Sequence, residues 1–248
     1  SICWIFSLPQ SVIALLSPLT ASFAANDMES VRSQINAAMR FVMVIAFPCT
    51  IGLAVLGEPI FLLLFPGTAQ TAPMAAMMMY VGAFAVVFYA MSTLSNGLLQ
   101  GINRMRIPVT NAAISLVAHV ILLVILMLFF HLKIYAVVIA NMFFALMMCV
   151  MNSMAIRKYS GYKQEVIKTF VIPAISSVIM GIITWLFYHG CHALLKSNAI
   201  STILAIMIAA IVYAVTLLLF KGLSEEEILR FPKGALLVRI AKKLHLLR

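Results

Sequence analysis

The chain has 248 residues, of which 64% are hydrophobic and 10% are charged, and its mean hydropathy is +1.11. This composition excludes a soluble globular protein, because its apolar runs are long enough to cross a bilayer. A net charge of +10 would suggest a nucleic-acid partner in a soluble protein, but here the basic residues lie between the apolar runs. The sequence therefore predicts a membrane protein with no nucleic-acid partner.

Seven apolar runs are long enough to be transmembrane helices. They lie at residues 2–25, 41–65, 74–101, 107–130, 134–156, 170–190 and 199–220. A transmembrane barrel is excluded, because its strands would appear as segments of about ten residues with alternating polarity. The predicted fold class is all-α, a polytopic membrane helix bundle of seven transmembrane helices.

The distribution of basic residues predicts the topology. Of the 17 Lys and Arg residues, 15 lie on one side of the predicted spans, and only Lys133 and Lys196 lie on the other. The positive-inside rule assigns the basic side to the cytoplasm, which makes the C-terminus cytoplasmic. An odd number of spans then places Ser1 outside, so we expect the chain to be the C-terminal part of a longer protein.

The first span carries small and polar residues at helical spacing, among them Gln10, Ser11 and Ser17. Such a stripe either lines a substrate cavity or packs closely on a neighbouring helix. We take these three residues as cavity candidates. The polar linker that follows predicts a helix capped by Asp27 and lying along the membrane before the second span.

Glu58 is the only acidic residue within an apolar run. Intramembrane carboxylates are costly and often functional, which makes Glu58 a headgroup or gate candidate. Its position near the end of the span equally favours a structural role, in which it helps to hold a break at Gly57-Glu58-Pro59.

Spans three and four carry polar residues on inward faces. The cavity candidates here are Asn96, Gln100, Asn111, Ser115 and His119. Asn111, Ser115 and His119 are spaced four residues apart and share one helix face. An interhelical hydrogen bond is the alternative to a transport role for His119.

The stretch "GLLQGINRMRIPVTN" predicts a cytoplasmic turn between these two spans. We expect Gly101 to help end one helix and Pro108 to start the next. Arg104 and Arg106 are candidates for contact with a substrate headgroup, although topology alone also accounts for them.

The last two spans are less polar and are interpreted as additions to a core of five. The predicted division is a lobe at 1–158, two additional helices at 159–221, and a basic amphipathic tail at 222–248 that binds the anionic leaflet. His189, Cys191 and His192 lie close together near the end of the sixth span, but three residues on a short loop favour a solvated loop over a metal site. No metal or cofactor is expected.

Four motifs in order resemble one known family. They are the run from "ALLSPLTASFAAND" to "FLLLFPG", then "SNGLLQGINRMRIPVTN", "NSMAIRKYSGYK" and "LSEEEILRFPKGALLVRIAKKLHLL". Together they resemble the C-terminal half of polysaccharide biosynthesis proteins of the stage V sporulation protein B type, relatives of the lipid II flippases of the MurJ type in the multidrug/oligosaccharidyl-lipid/polysaccharide flippase superfamily. The resemblance implies spans eight to fourteen of a fourteen-helix flippase, with an N-terminal lobe outside this chain.

The resemblance also implies a function. The family is understood to carry lipid-linked oligosaccharides or peptidoglycan precursors across the bacterial inner membrane by alternating access. The pyrophosphate-binding arginines of such flippases belong mostly to the N-terminal half, so this sequence does not identify the substrate. A cation-coupled drug exporter of the same superfamily and a non-transporting scaffold in cell-envelope or spore assembly are the alternatives. An enzyme is disfavoured, because no nucleophile-base pair, metal cluster or phosphate loop is recognisable, and a membrane glycosyltransferase would need loop acids that the sequence lacks.

Overall fold

The computed structural model describes residues 18–67, 70–131, 134–220 and 222. Within these residues all regular structure is helical, and six helices are long and apolar enough to cross a membrane. They are α1 (Met28–Leu64), α2 (Ala72–Gly101), α3 (Arg106–Leu128), α4 (Ile134–Ser160), α5 (Ile172–Leu195) and α6 (Asn198–Leu219). Residues 18–24 form a further helical segment. The predicted all-α, multi-pass membrane protein is confirmed.

The six spans predicted between residues 41 and 220 correspond to these six helices. Most of the first span, at 2–17, lies outside the described residues, and so do its cavity candidates. Those candidates are Gln10, Ser11 and Ser17. The basic tail at 222–248 also lies outside them, apart from Gly222.

The start of α1 corrects one prediction. The polar linker and the second span form one helix of 37 residues, about 55 Å long, rather than a surface helix followed by a span. The apolar residues that suggested a membrane-surface helix are instead buried within the protein. They are Val31, Ile35, Ala38 and Met39. The predicted break at Gly57-Glu58-Pro59 is also wrong, because α1 continues to Leu64.

Two prolines lie inside α1, and at one of them another residue replaces the backbone hydrogen bond that the proline removes. Pro48 has no N–H, so the carbonyl of Val44 loses its helical partner one turn later. The hydroxyl of Tyr213 on α6 donates to that carbonyl at 2.7 Å. A side chain of another helix thus satisfies the freed carbonyl, as the absence of water from a membrane interior requires.

The turn after α2 is a Schellman motif. Asn103 adopts the left-handed conformation with φ of 58°, which Asn tolerates better than most residues. The N–H of Arg104 donates to the carbonyl of Leu99 at 2.8 Å, and the N–H of Asn103 donates to that of Gln100 at 3.0 Å. Gly101 is the last helical residue, as predicted, but the residue that reverses the chain direction is Asn103.

The next helix, α3, begins at Arg106, two residues before the predicted Pro108. Similarly, α5 is preceded by a short π-helical segment, Ile167–Val171, next to Pro173. Because Pro173 cannot donate a backbone hydrogen bond, the helix geometry changes in the turn that precedes it.

The predicted loop containing His189, Cys191 and His192 is wrong, because all three residues lie inside α5. The imidazole of His189 lies against the Trp185 ring, with centroids 4.4 Å apart and the planes tilted by 42°, and that of His192 lies nearly parallel to the ring of Tyr188. No group of three or more His, Cys, Asp or Glu side chains that could hold a metal ion occurs in the described part of the chain.

The described residues form two compact units. Among them, unit 1 contains residues 18–43 and those of Phe84–Glu165, and within it α3 packs along α4. Unit 2 contains the described residues of Val44–Ala83 and of 166–222, and within it α5 packs along α6. The division predicted at residues 158 and 221 stays a prediction.

Candidate functional site

The interior of unit 1 contains a network of three asparagines on three helices. Asn152 of α4 is completely buried, and its side-chain oxygen accepts a hydrogen bond of 2.8 Å from the amide nitrogen of Asn111 on α3. The amide nitrogen of Asn152 donates to the side-chain oxygen of Asn96 on α2 at 2.6 Å. We call these three residues the amide network. It joins α2, α3 and α4 by directional bonds in a membrane-embedded interior.

Two more predicted residues lie on the same face of α3 and contact α4. The hydroxyl of Ser115 lies 3.8 Å from the sulfur of Met151. Nδ1 of His119 lies 2.8 Å from the backbone carbonyl of Ala140. Because a carbonyl oxygen can only accept, Nδ1 carries the hydrogen of this contact. The edge of this ring also meets Phe144, at a centroid distance of 6.0 Å.

The structure therefore brings together four of the predicted cavity residues. Asn96, Asn111, Ser115 and His119 all contact α4. Gln100 is exposed one turn beyond Asn96 on α2. The role of all five in lining a transport cavity stays a prediction.

Sequence reasoning did not include Asn152 among the candidates, although it joins the other two amides. Its signal was an asparagine within an apolar run, eleven residues after Asn141 on the same span. Asn141 is exposed, whereas Asn152 is buried. Helical periodicity places the two near one face but does not say which of them reaches a neighbouring helix.

A basic cluster lies at the end of unit 1 where α3 begins and α4 ends. The guanidinium carbon of Arg104 lies 4.5 Å from the ring centroid of Tyr159, and the ammonium of Lys158 lies 5.6 Å from it. Cations over an aromatic face are held by the negative charge of the ring quadrupole. Tyr159 therefore holds both cations beside the turn that Asn103 makes.

Arg106 and Lys158 line a pocket of about 500 Å³, which we call the elbow pocket. Its lining residues are Arg106, Ile107, Thr110, Asn111, Met154, Ala155, Lys158 and Tyr159. A smaller pocket of about 300 Å³, lined by Asn103 to Ile107 and by Tyr159, contains Arg104. Asn111 belongs to both the elbow pocket and the amide network, so the basic surface is continuous with the buried amides.

The chemistry of the elbow pocket suits an anion that carries a polar, hydrogen-bonding group. Arg106 and Lys158 are both exposed, and no carboxylate is among the lining residues. Guanidinium and ammonium groups bind phosphate oxygens by charge-assisted hydrogen bonds, and arginine does so bidentately. The hydroxyl of Thr110 is occupied by the carbonyl of Arg106 at 2.9 Å, which leaves Asn111 and the cations to meet a ligand.

Glu58 lies in unit 2 and is half-buried in α1. Its neighbours in sequence are tightly held: a Cβ at Gly57 would lie 3.4 Å from the Tyr80 ring, and the carbonyl of Pro59 accepts from the amide of Asn198 at 3.0 Å. The residues on either side of Glu58 thus both contact other helices. Its headgroup or gate role stays a prediction.

Comparison with known proteins identifies the family. The family model for lipid II flippase MurJ matches residues 4–206, which is more than half of the chain. The chain belongs to the lipid II flippase MurJ family. The resemblance to the MurJ-type flippases is thereby confirmed, and the match covers the first three of the four motifs. A flippase moves its substrate and does not transform it, so the family is one of transporters rather than enzymes.

The lipid II flippase MurJ of Bacillus subtilis (strain 168) is 21% identical to the chain over 171 residues. The alignment covers 68% of this chain and 31% of that relative. The chain therefore spans about a third of the length of the relative that it matches.

Proposed function

We propose that the chain forms the C-terminal half of a flippase that moves a lipid-linked oligosaccharide or peptidoglycan precursor across the bacterial cytoplasmic membrane. Membership of the lipid II flippase MurJ family supports a transporter of this class. The observation that carries the proposal is the elbow pocket, where Arg106 and Lys158 lie beside Asn111 of the amide network.

The phosphate of the headgroup binds the two cations of the elbow pocket. Arg106 presents a planar fork to two phosphate oxygens, and Lys158 supplies a second positive charge. The Tyr159 ring, fixed by Arg104, offers an apolar wall for a sugar face. Gln100, exposed at the end of α2, supplies a further hydrogen-bonding group at the same turn.

The charge distribution orients the molecule. With 15 of 17 basic residues on the cytoplasmic side, the C-terminus is cytoplasmic and the elbow pocket opens toward the cytoplasm. A precursor assembled in the cytoplasm then meets the cationic pocket first. The basic tail at 222–248 holds this side of the protein on anionic lipids.

Transport proceeds by alternating access, with an N-terminal lobe outside this chain completing the cavity. Rocking motions require each lobe to move as a body. The amide network supports this, because it fastens α2, α3 and α4 to one another through Asn152.

The test is a flipping assay on the full-length protein in proteoliposomes with fluorescent lipid II. Replacing Arg106 and Lys158 together by Gln removes two charge-assisted contacts of about 1.5–3 kcal/mol each, and we expect at least about a tenfold slower rate. Lys196→Gln is the matched control, because Lys196 is a basic residue at the end of α5 outside the elbow pocket. A wild-type rate in the double variant, at equal reconstitution, would contradict the proposed pocket.

A cation-coupled drug exporter is the second candidate, because Glu58 is a half-buried carboxylate within α1. In that case Glu58→Gln abolishes dye export driven by a proton or sodium gradient. The same variant leaves lipid II flipping at the wild-type rate if the flippase proposal is right and Glu58 is structural. The two assays on one variant therefore separate the candidates.

A further inference from the structure

A third pocket, of about 390 Å³, lies at the end of α4 in unit 1, and we call it the lateral pocket. Its lining residues are Met39, Ser153, Met154, Ile156, Arg157, Tyr162, Lys163 and Gln164. It shares only Met154 with the elbow pocket. Helical periodicity places the two pockets on nearly opposite faces of α4, so the lateral pocket is a separate site.

The lateral pocket has cations and an unused donor. Arg157 and Lys163 are exposed at its rim, and no carboxylate is among its lining residues. The amide nitrogen of Gln164 and the hydroxyl of Ser153 are buried without a hydrogen-bond partner. Buried donors are normally satisfied, so an unpaired amide beside two cations points to an anionic ligand that accepts from it.

The wall of the pocket is held in place by contacts with α1. The hydroxyl of Tyr162 donates to the side-chain oxygen of Asn36 at 3.0 Å, and the amide of Asn36 donates to the carboxylate of Glu165 at 3.0 Å. Tyr162 and Glu165, which make these two bonds, flank Lys163 and Gln164 in the sequence. Glu165 is thereby engaged with Asn36 and does not line the pocket.

An apolar track leads along α4 to the lateral pocket. Its members are the exposed residues Phe143, Leu146, Val150 and Met154. Their spacing of three and four residues keeps them on one helix face, and Arg157 follows at the next turn. Met154, with 67% of its side chain exposed, lines the pocket itself. The apolar track therefore ends at the cations.

We propose that the lateral pocket binds the phosphate-bearing headgroup of an anionic membrane phospholipid. The phosphate contacts Arg157, Lys163 and the amide of Gln164, and one acyl chain lies along the apolar track. A free phosphate would use the cations but not the track. The lipid is a resident ligand of unit 1, distinct from the substrate proposed for the elbow pocket.

The first test is native mass spectrometry of the protein with phosphatidylglycerol or phosphatidylcholine of equal acyl length. The wild type should retain phosphatidylglycerol at least about tenfold more tightly, and Arg157→Gln with Lys163→Gln should lose this preference. Lys168→Gln is the matched control, because Lys168 is basic, exposed and outside the pocket. Equal retention of the two lipids by the wild type, or an unchanged preference in the double variant, would overturn the proposal.

Gln164→Leu separates binding from a structural role. The change keeps the side-chain volume and removes the unpaired amide, so we expect an unchanged or higher Tm together with about tenfold weaker retention of phosphatidylglycerol. A lower Tm with unchanged lipid retention would show that the amide serves the fold, and it would refute the site. Displacement of bound phosphatidylglycerol by millimolar inorganic phosphate would refute the assignment to a lipid.

Discussion

The two units hold their helices together by different chemistry. In unit 1, long polar side chains bond across helices, and the amide network joins three of them through Asn152. In unit 2, the buried polar residues are small, and several hydroxyls have no hydrogen-bond partner. They are Thr50, Thr169, Ser176, Thr184 and Ser201.

This difference indicates two ways to stabilise a membrane bundle. Small residues let helix backbones approach closely and gain van der Waals contact, as α5 does at Gly181, which lies against Ile51 and Val55 of α1. Amide pairs instead specify one register, because a shift would leave a polar group unpaired in hydrocarbon. We therefore expect unit 1 to depend on polarity and unit 2 on volume.

The largest effect is expected from Asn152→Leu in unit 1. The change keeps the volume but removes two interhelical bonds and leaves Asn96 and Asn111 without their partner. We expect a loss of about 3 kcal/mol in unfolding free energy, because each abandoned amide costs about 1–3 kcal/mol. Thermal or denaturant unfolding in detergent measures it.

Asn141→Leu is the control for that loss, because Asn141 lies on the same helix with its side chain exposed. It should leave the unfolding free energy nearly unchanged. If both variants lose the same stability, the amide network does not distinguish unit 1. A triple variant with Leu at residues 96, 111 and 152 should recover part of the loss, because no amide then remains unpaired.

In unit 2, Gly181→Ala should destabilise by volume alone. A Cβ at residue 181 would lie 2.5 Å from Cγ2 of Ile51, a distance so short that the Ile51 side chain or its helix must shift. Overpacking of this kind costs about 1–3 kcal/mol, and unfolding of the variant in detergent measures it.

Gly190→Ala on the same helix is the matched control, because nothing lies within 4 Å of a Cβ there. It should be neutral or stabilise by up to about 1 kcal/mol through helix propensity. The double variant Gly181→Ala with Ile51→Ala should recover stability. A cost at residue 181 no larger than at residue 190 would contradict close packing in unit 2.

A smaller effect is expected from Tyr213→Phe, which tests a directional bond between two helices of unit 2. The change removes the donor to the carbonyl of Val44 and should cost about 1 kcal/mol. A double-mutant cycle with Pro48→Ala sharpens the test, since alanine restores the N–H that the carbonyl lacks. The cost of Tyr213→Phe should shrink in the Pro48→Ala background, and an equal cost in both would show that the hydroxyl serves another purpose.

The apolar runs predicted the helices well, because a bilayer demands a long uninterrupted apolar segment whatever the tertiary structure. The same reasoning failed at the start of α1, where an amphipathic pattern describes a helix on a membrane as well as one packed on protein. Only tertiary contacts decide between them. The deep burial of Val31 and Ile35 shows that this part of α1 packs on protein.

Part of the candidate site was predictable from the spacing of polar residues along a helix. Periodicity placed Asn111, Ser115 and His119 on one face, and the structure has all three in contact with α4. It did not reveal that Asn152 is the partner of Asn111, or that Arg104 and Lys158 both lie over the ring of Tyr159. Partners on another helix depend on helix rotation, which one sequence does not encode locally.

The smallest effect is expected at the aqueous edge of unit 1, where Asp27 caps α1. Its carboxylate accepts from the backbone N–H of Ser30 at 3.1 Å and from the hydroxyl of Ser30 at 2.6 Å. These bonds, the side-chain one foremost, hold the pKa of Asp27 below its usual value of 3.8.

A lowered pKa means that the folded state favours the charged carboxylate. The stability that this cap contributes is therefore fully present above pH 3.8 and is lost as the pH falls through the lowered pKa. Asp27→Ala should lower the Tm slightly at pH 7, and the difference from the wild type should shrink below pH 3.8. Asp27→Asn, which keeps an acceptor, should show a smaller difference at pH 7, and this difference should also change below pH 3.8, because only the wild-type carboxyl titrates. A Tm difference for Asp27→Ala that persists unchanged at low pH would mean that the charge of the cap contributes nothing, leaving unit 1 to depend on its buried amides alone.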